Sequence, residues 1–199
     1  MKDKFSLVYI DDNPDTALSK YFDQESGSDE YEIDYSEVRF SPDEGYKSLL
    51  SNPIIQQANI IFVDSLLFEN KTAKSQKFTG EEFKFILRKF YPFIEVIVIT
   101  QNQVEDIVAH ILKYDKMLSR SASEYYAKEL PTIIDKAVKN IRQYRVLATH
   151  VEKNDSWEEI IKEKALATLN GTSRYDDLTI SDIDKLISAF KEMEGCFNG

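Results

Sequence analysis

The chain has 199 residues, 42% hydrophobic and 12% aromatic, enough apolar surface for a folded core, which excludes wholesale disorder. Twenty-five Lys and Arg against 35 Asp and Glu leave a net charge of −10, a surface that repels a nucleic-acid backbone. One cysteine, Cys196, excludes a scaffold held by intrachain disulfides, and no apolar run approaches the roughly 20 residues of a membrane span. The expectation is a cytoplasmic protein with one domain of ordinary size and an extension.

In chain order, four short apolar runs have strand character: Phe5–Ile10, Tyr31–Tyr35, Ile60–Val63 and Ile94–Ile99. The last two are nearly continuous in Ile, Val and Phe, as strands buried on both faces of a parallel sheet tend to be. Between them, Glu82–Phe90 places Phe83, Ile86, Leu87 and Phe90 on one helical face. Gln103–Leu112 does the same with Val104, Ile107, Val108, Ile111 and Leu112. A fifth strand is predicted at Lys116–Ser119, and after Pro131 a long helix runs through Ile134, Ala137, Val138 and Ile141 to about Val151. Strands alternating with helices predict an α/β fold, a doubly wound five-stranded parallel sheet of (βα)5 form with helices on both faces.

From residue 152 the texture changes. Ser156 is placed to cap a helix bearing Trp157, Ile160, Ile161 and Leu169, closed by Asn170 and Gly171. A second helix opens near Ser181 and carries Ile183, Leu186, Ile187 and Phe190 on one stripe. The division expected is a domain over residues 1–151 and an acidic, two-helix C-terminal extension over 152–199. These stripes need burial, and docking in cis on the domain is the favoured expectation. The two short acidic helices lack the basic recognition helix of a DNA-reading output domain.

In an open parallel sheet, functional groups gather beyond the carboxyl ends of the strands. The first predicted strand runs into Asp11 and Asp12, the third into Asp64, the fourth into Thr100 and the fifth into Arg120. Three carboxylates brought together repel one another unless they are protonated or bind a cation. An open, all-oxygen site favours Mg²⁺, which keeps its waters and also binds phosphate oxygens. A carboxylate beside such a cation, with a hydroxyl and a guanidinium close by, suits acceptance of a phosphoryl group.

At these residues the sequence resembles the receiver domains of two-component response regulators, over about residues 4–150. The resemblance rests on Leu7-Val-Tyr-Ile-Asp11-Asp12, on Ile60-Ile-Phe-Val-Asp64, on Val96-Ile-Val-Ile-Thr100 and on Glu129-Leu-Pro131-Thr-Ile-Ile-Asp-Lys-Ala-Val. It implies a receiver or flavodoxin-like fold, with Asp64 taking a phosphoryl group from a phosphohistidine. It implies Mg²⁺ held by Asp11, Asp12, Asp64 and the backbone carbonyl of Leu66, with Thr100 and Arg120 contacting the phosphoryl oxygens. The implied partners are a histidine kinase or phosphotransfer protein and a downstream protein; the charge balance and the lack of a long apolar run argue against nucleic acid and membrane as partners, and a homodimer stays open. The family has Lys where this alignment puts Arg120, an aromatic residue where it puts Met117, and a small residue where Gln101 stands.

Two rivals accompany this reading. One is a pseudo-receiver, a protein-interaction module with the same fold and no phosphoryl chemistry. The other is a Mg²⁺-dependent phosphatase with Asp64 as nucleophile, for which Leu66 stands where a second aspartate is needed. Ala109-His110-Ile-Leu112-Lys113 has the look of a phosphotransfer helix, but an exposed helix histidine is the preferred reading. The lysines of the long connection after Asp64 (Lys71, Lys74 and Lys77) read as solvated linker.

Overall fold

Along β1 (Asp3–Asp11), alternate side chains enter two different cores. Phe5, Leu7 and Tyr9 point to one side of the strand, Val8 and Ile10 to the other. The same division runs through β3 (Ile60–Asp64), with Ile60 and Phe62 opposite Ile61 and Val63. In β4 (Glu95–Thr100) it sets Ile97 and Ile99 against Val96 and Val98. Strands apolar on both faces require a covering layer on each, so the three-layer form follows from the sequence pattern. These statements refer to a computed structural model, which describes residues 2–24, 26–41, 45–67, 79–101, 110–153 and 158–169.

With β2 (Tyr31–Arg39) and β5 (His110–Leu112), the strands form one parallel sheet in the order β2-β1-β3-β4-β5. Register is set by pairs such as Leu7 with Ile60, Ile60 with Glu95 and Val98 with His110. One face is covered by α1 (Thr16–Gln24), through Leu18, Tyr21 and Phe22. The long helix α5 (Ala122–Glu152) shares that face through Tyr126, Leu130, Ile134, Val138 and Ile141. The other face is covered by α2 (Gly45–Ser51), α3 (Pro53–Gln56) and α4 (Gly80–Phe90), through Leu49, Ile55, Phe83 and Leu87.

Helix α4 starts where its sequence dictates. Thr79 and Glu82 form a capping box, each side chain bonding the other residue's backbone N–H. Gly80 sits against the end of β3: its N–H donates to Ser65 O at 2.9 Å, and a Cβ there would run into the carbonyl of Asp64. The returning chain is thereby fixed on the backbone of Asp64, which closes the third strand, and of Ser65, which follows it.

Three sequence expectations are corrected. The fifth strand lies at His110–Leu112, not at Lys116–Ser119, where the chain forms turns and Met117 is 90% exposed. The helix expected over Gln103–Leu112 therefore ends in strand at its last three residues, and His110 belongs to β5; residues 103–109 lie outside the described set. Ile111 is the reason, since it pairs with Ile99 and joins the first core, in the layer that the sheet needs to fill. Helix α5 begins at Ala122 and carries Pro131 inside it, because a capping box between Ser121 and Glu124 nucleates it nine residues before the proline.

In the extension, α6 (Glu159–Leu169) packs against α5. Ile160, placed in the buried stripe by the sequence, is 67% exposed. Trp157, the second extension helix, Cys196 and the loop lysines lie outside the described residues. Among the described residues, no helix is long and apolar enough to cross a membrane.

Candidate functional site

Strands β1 and β3 are neighbours whose chains continue to opposite sides of the sheet, β1 to β2 and β3 to β4. The crevice beyond their carboxyl ends is the topological switch point where such sheets bind ligands. Asp11 closes β1 and Asp64 closes β3, and both are nearly enclosed, at 1% and 6% exposure. Thr100, the last residue of β4, is buried in the next position along the same edge. Asp12 follows Asp11 and is exposed at the rim.

The cation at this site is Lys113. Its backbone N–H donates to Thr100 O at 2.7 Å, which sets residue 113 immediately beyond β5 and beside the end of β4. Tyr125 of α5 donates its hydroxyl to Leu112 O at 2.8 Å and holds the same segment from behind. From there the Lys113 ammonium reaches Asp64 Oδ1 at 3.3 Å and Asp11 Oδ2 at 3.5 Å. Arg120, expected here from sequence, is not brought in. Its guanidinium pairs with Glu129 at 3.1 Å and lies over the Tyr125 ring, 4.8 Å from its centroid.

Each remaining carboxylate oxygen has a partner. Asp64 Oδ2 accepts the Leu66 N–H at 3.0 Å, and Asp11 Oδ1 accepts the Asn13 N–H at 2.9 Å. Asp11 Oδ2 also accepts the hydroxyl of Tyr9, a fully buried side chain that sequence reasoning did not single out. The signal for it was present, because Tyr9 and Asp11 are two residues apart on a strand and so share a face.

Electrostatics show that one ammonium does not balance this cluster. Burial raises the Asp64 carboxyl above its ordinary range and Asp11 raises it further, outweighing the attraction of Lys113. Asp12 is raised by desolvation and by its hydrogen bond and charge interaction with Asp11. For Lys113, burial alone would lower the amine, but Asp64 and Asp11 together hold it above its usual value. The amine therefore stays charged, and Lys113 alone does not offset the charge these carboxylates carry when ionised.

Such charge, carried on hard oxygen donors, is the chemistry a divalent cation such as Mg²⁺ satisfies. Among the described residues no three acids, histidines or cysteines are already gathered as a ready-made metal cage. An open Mg²⁺ site uses only a few protein oxygens and fills the rest with water, so the donor set fits the ion without such a cage.

No family model matches the sequence, and no curated protein matches it. Similar solved structures include a two-component transcriptional regulator AraC from Clostridium phytofermentans ISDg, 14% identical, covering 72% of this chain and 98% of that one, with a TM-score of 0.42. Another is RcsB from Salmonella enterica serovar Typhimurium bound to promoter rprA with phosphomimetic BeF3-, 11% identical over 90% of this chain and 98% of that one, TM-score 0.38. RcsB on promoter P1flhDC is 13% identical over 86% and 94%, also at 0.38. Likeness of this degree leaves the weight on the molecule's own topology. By its 2-1-3-4-5 strand order and its helices on both faces, the chain has a receiver-like α/β fold.

Proposed function

We propose that the protein is a phosphoacceptor signalling module in which Asp64 takes a phosphoryl group from a phosphohistidine on a kinase or phosphotransfer protein. The observation that carries the reading is the convergence of Asp11, Asp64 and Lys113 at the switch point, with Thr100 ending the adjacent strand. An Asp64 carboxylate oxygen attacks phosphorus, the new P–O bond forms as the P–N bond breaks, and the imidazole leaves and takes up a proton from solvent. Lys113, positively charged and already 3.3 Å from Asp64, is placed to bind an oxygen of the incoming phosphoryl group. The Thr100 hydroxyl is the neutral donor on the same edge. Asp11, Asp12, Asp64 and the Leu66 carbonyl would hold Mg²⁺, which supplies charge neutralisation for the phosphoryl oxygens. Downstream action would be by protein contact.

The test is incubation with a small phosphodonor and Mg²⁺ followed by intact-mass measurement. Wild type should gain one phosphoryl group, and Asp64→Asn should gain none. A wild-type mass that stays unchanged under conditions that label an ordinary receiver would leave the pseudo-receiver reading, a binding module without phosphoryl chemistry.

A further inference from the structure

Tyr9 is unusual for a core position, because its buried ring carries a hydroxyl into the acidic site. That hydroxyl has one proton and uses it on Asp11 Oδ2, while its oxygen accepts the Asp15 N–H at 3.2 Å. Asp15 is itself fixed twice. Its Oδ1 accepts the Ala17 and Leu18 N–H groups at the start of α1, at 2.9 and 3.3 Å. Its Oδ2 accepts the hydroxyl of Tyr126, from the second turn of α5, at 2.9 Å. The Tyr126 oxygen in turn accepts the Tyr114 N–H at 3.2 Å, from the residue immediately after Lys113.

Each hydroxyl in this series donates once and accepts once, which is the full capacity of an ordered tyrosine in such a chain. Every donor points the same way, from the Lys113–Tyr114 segment through α5 and the start of α1 to Asp11. Lys113 also meets Asp11 directly at 3.5 Å, so the connections close into a ring. A hydroxyl that is buried has no water to fall back on, so loss of one link leaves the next donor or acceptor unsatisfied.

We propose that Tyr9 is a positioning residue for Asp11, and that Asp15 and Tyr126 tie it to the first turns of α5, so that the acidic site and the amino-terminal part of that helix move as one unit. Within the proposed function, this would make Mg²⁺ affinity sensitive to a hydroxyl on α5 that touches no metal ligand. Partners that orient a metal-binding carboxylate typically matter by tenfold or more.

Tyr9→Phe and Tyr126→Phe each remove one hydroxyl and keep the ring, and both would be studied singly and together. In metal-free protein, carbonyl and amide NMR should show the Asp11 carboxyl moving in Tyr126→Phe and the Tyr114 amide moving in Tyr9→Phe. In a Mg²⁺ titration, Tyr9→Phe should raise Kd about tenfold. Tyr126→Phe should raise it at least about twofold. The double variant should bind no more weakly than Tyr9→Phe alone, since both act through the same link. Unmoved remote signals in the metal-free variants, or additive losses of affinity, would overturn the proposal. A wild-type protein with linked signals and no Mg²⁺ binding would uphold the relay and overturn only the proposed metal site.

Discussion

Replacing Asp64 with Asn should stabilise the metal-free protein near neutral pH, although Asp64 is buried and ion-paired. The argument rests on the sign of its titration. Burial and the charge of Asp11 raise the Asp64 carboxyl above its ordinary range despite Lys113, so the native state holds the proton more tightly than the unfolded chain. The favourable contribution of that proton is complete below the unfolded-state value and is lost as pH rises through the native one. At neutral pH the ionised Asp64 is therefore a net cost to folding. Asn has nearly the same shape, keeps an acceptor for the Leu66 N–H and removes one of the two carboxylate charges that share the Lys113 ammonium. Relief of such a site typically contributes about 0.5–2 kcal/mol. For a chain of this size the upper half of that range corresponds to roughly 2–8 °C in Tm. Thermal unfolding by circular dichroism should show Asp64→Asn melting above wild type near neutral pH, with the gap closing on acidification as Asp64 takes up its proton. Saturating Mg²⁺ should raise wild type and leave the variant nearly unmoved, narrowing or reversing the gap. A variant that melts below wild type in metal-free neutral buffer would refute the reasoning, because Lys113 attraction would then exceed the combined cost of burial and Asp11.

Lys113 and Arg120 separate cleanly. Lys113→Ala should abolish phosphoryl uptake by mass measurement and cost roughly 1.5–3 kcal/mol, because two buried carboxylates lose their common ammonium. Arg120→Ala should leave uptake intact and cost under about 1 kcal/mol, since its pair with Glu129 is substantially solvent-exposed. Gly80→Ala should lower stability by about 1–3 kcal/mol, because its Cβ must displace the backbone of Asp64 and Ser65, and should slow phosphorylation as well. Ser121→Ala should cost about 0.5–2 kcal/mol in chemical denaturation through loss of the α5 capping box, with no change in the mass assay. The phosphorylation rate should decline on acidification from a higher pH than an unperturbed carboxylate would give, since only the ionised Asp64 attacks. A rate that stays flat through that range would contradict the raised carboxyl.

The difference between the acidic and basic halves of this site shows what kind of information a single sequence carries. Asp11 and Asp64 each end an apolar run of β-branched and aromatic residues whose two-face burial is written in consecutive Ile, Val and Phe, so strand, strand end and carboxylate could be found together. The fold followed from the same runs. The last strand has three residues and one buried side chain, Ile111, and its apolar positions continue the spacing of Val104, Ile107 and Val108 without a break. A helical period therefore absorbed it, and the register moved to Lys116–Ser119, carrying the cation to Arg120. Composition held a correction: Lys116-Met-Leu-Ser contains no β-branched or aromatic residue, whereas Ile111 is followed within two positions by Lys113, repeating the apolar-then-charged endings of β1 and β3. What local pattern does not encode is the reason that Lys113 wins. Ile111 is drawn into the layer with Ile99 and Tyr125, and the α5 tyrosines grip the chain on either side of Lys113, through Leu112 O and the Tyr114 N–H. Those contacts come from a helix that begins nine residues after Lys113, and only the assembled sheet can place them.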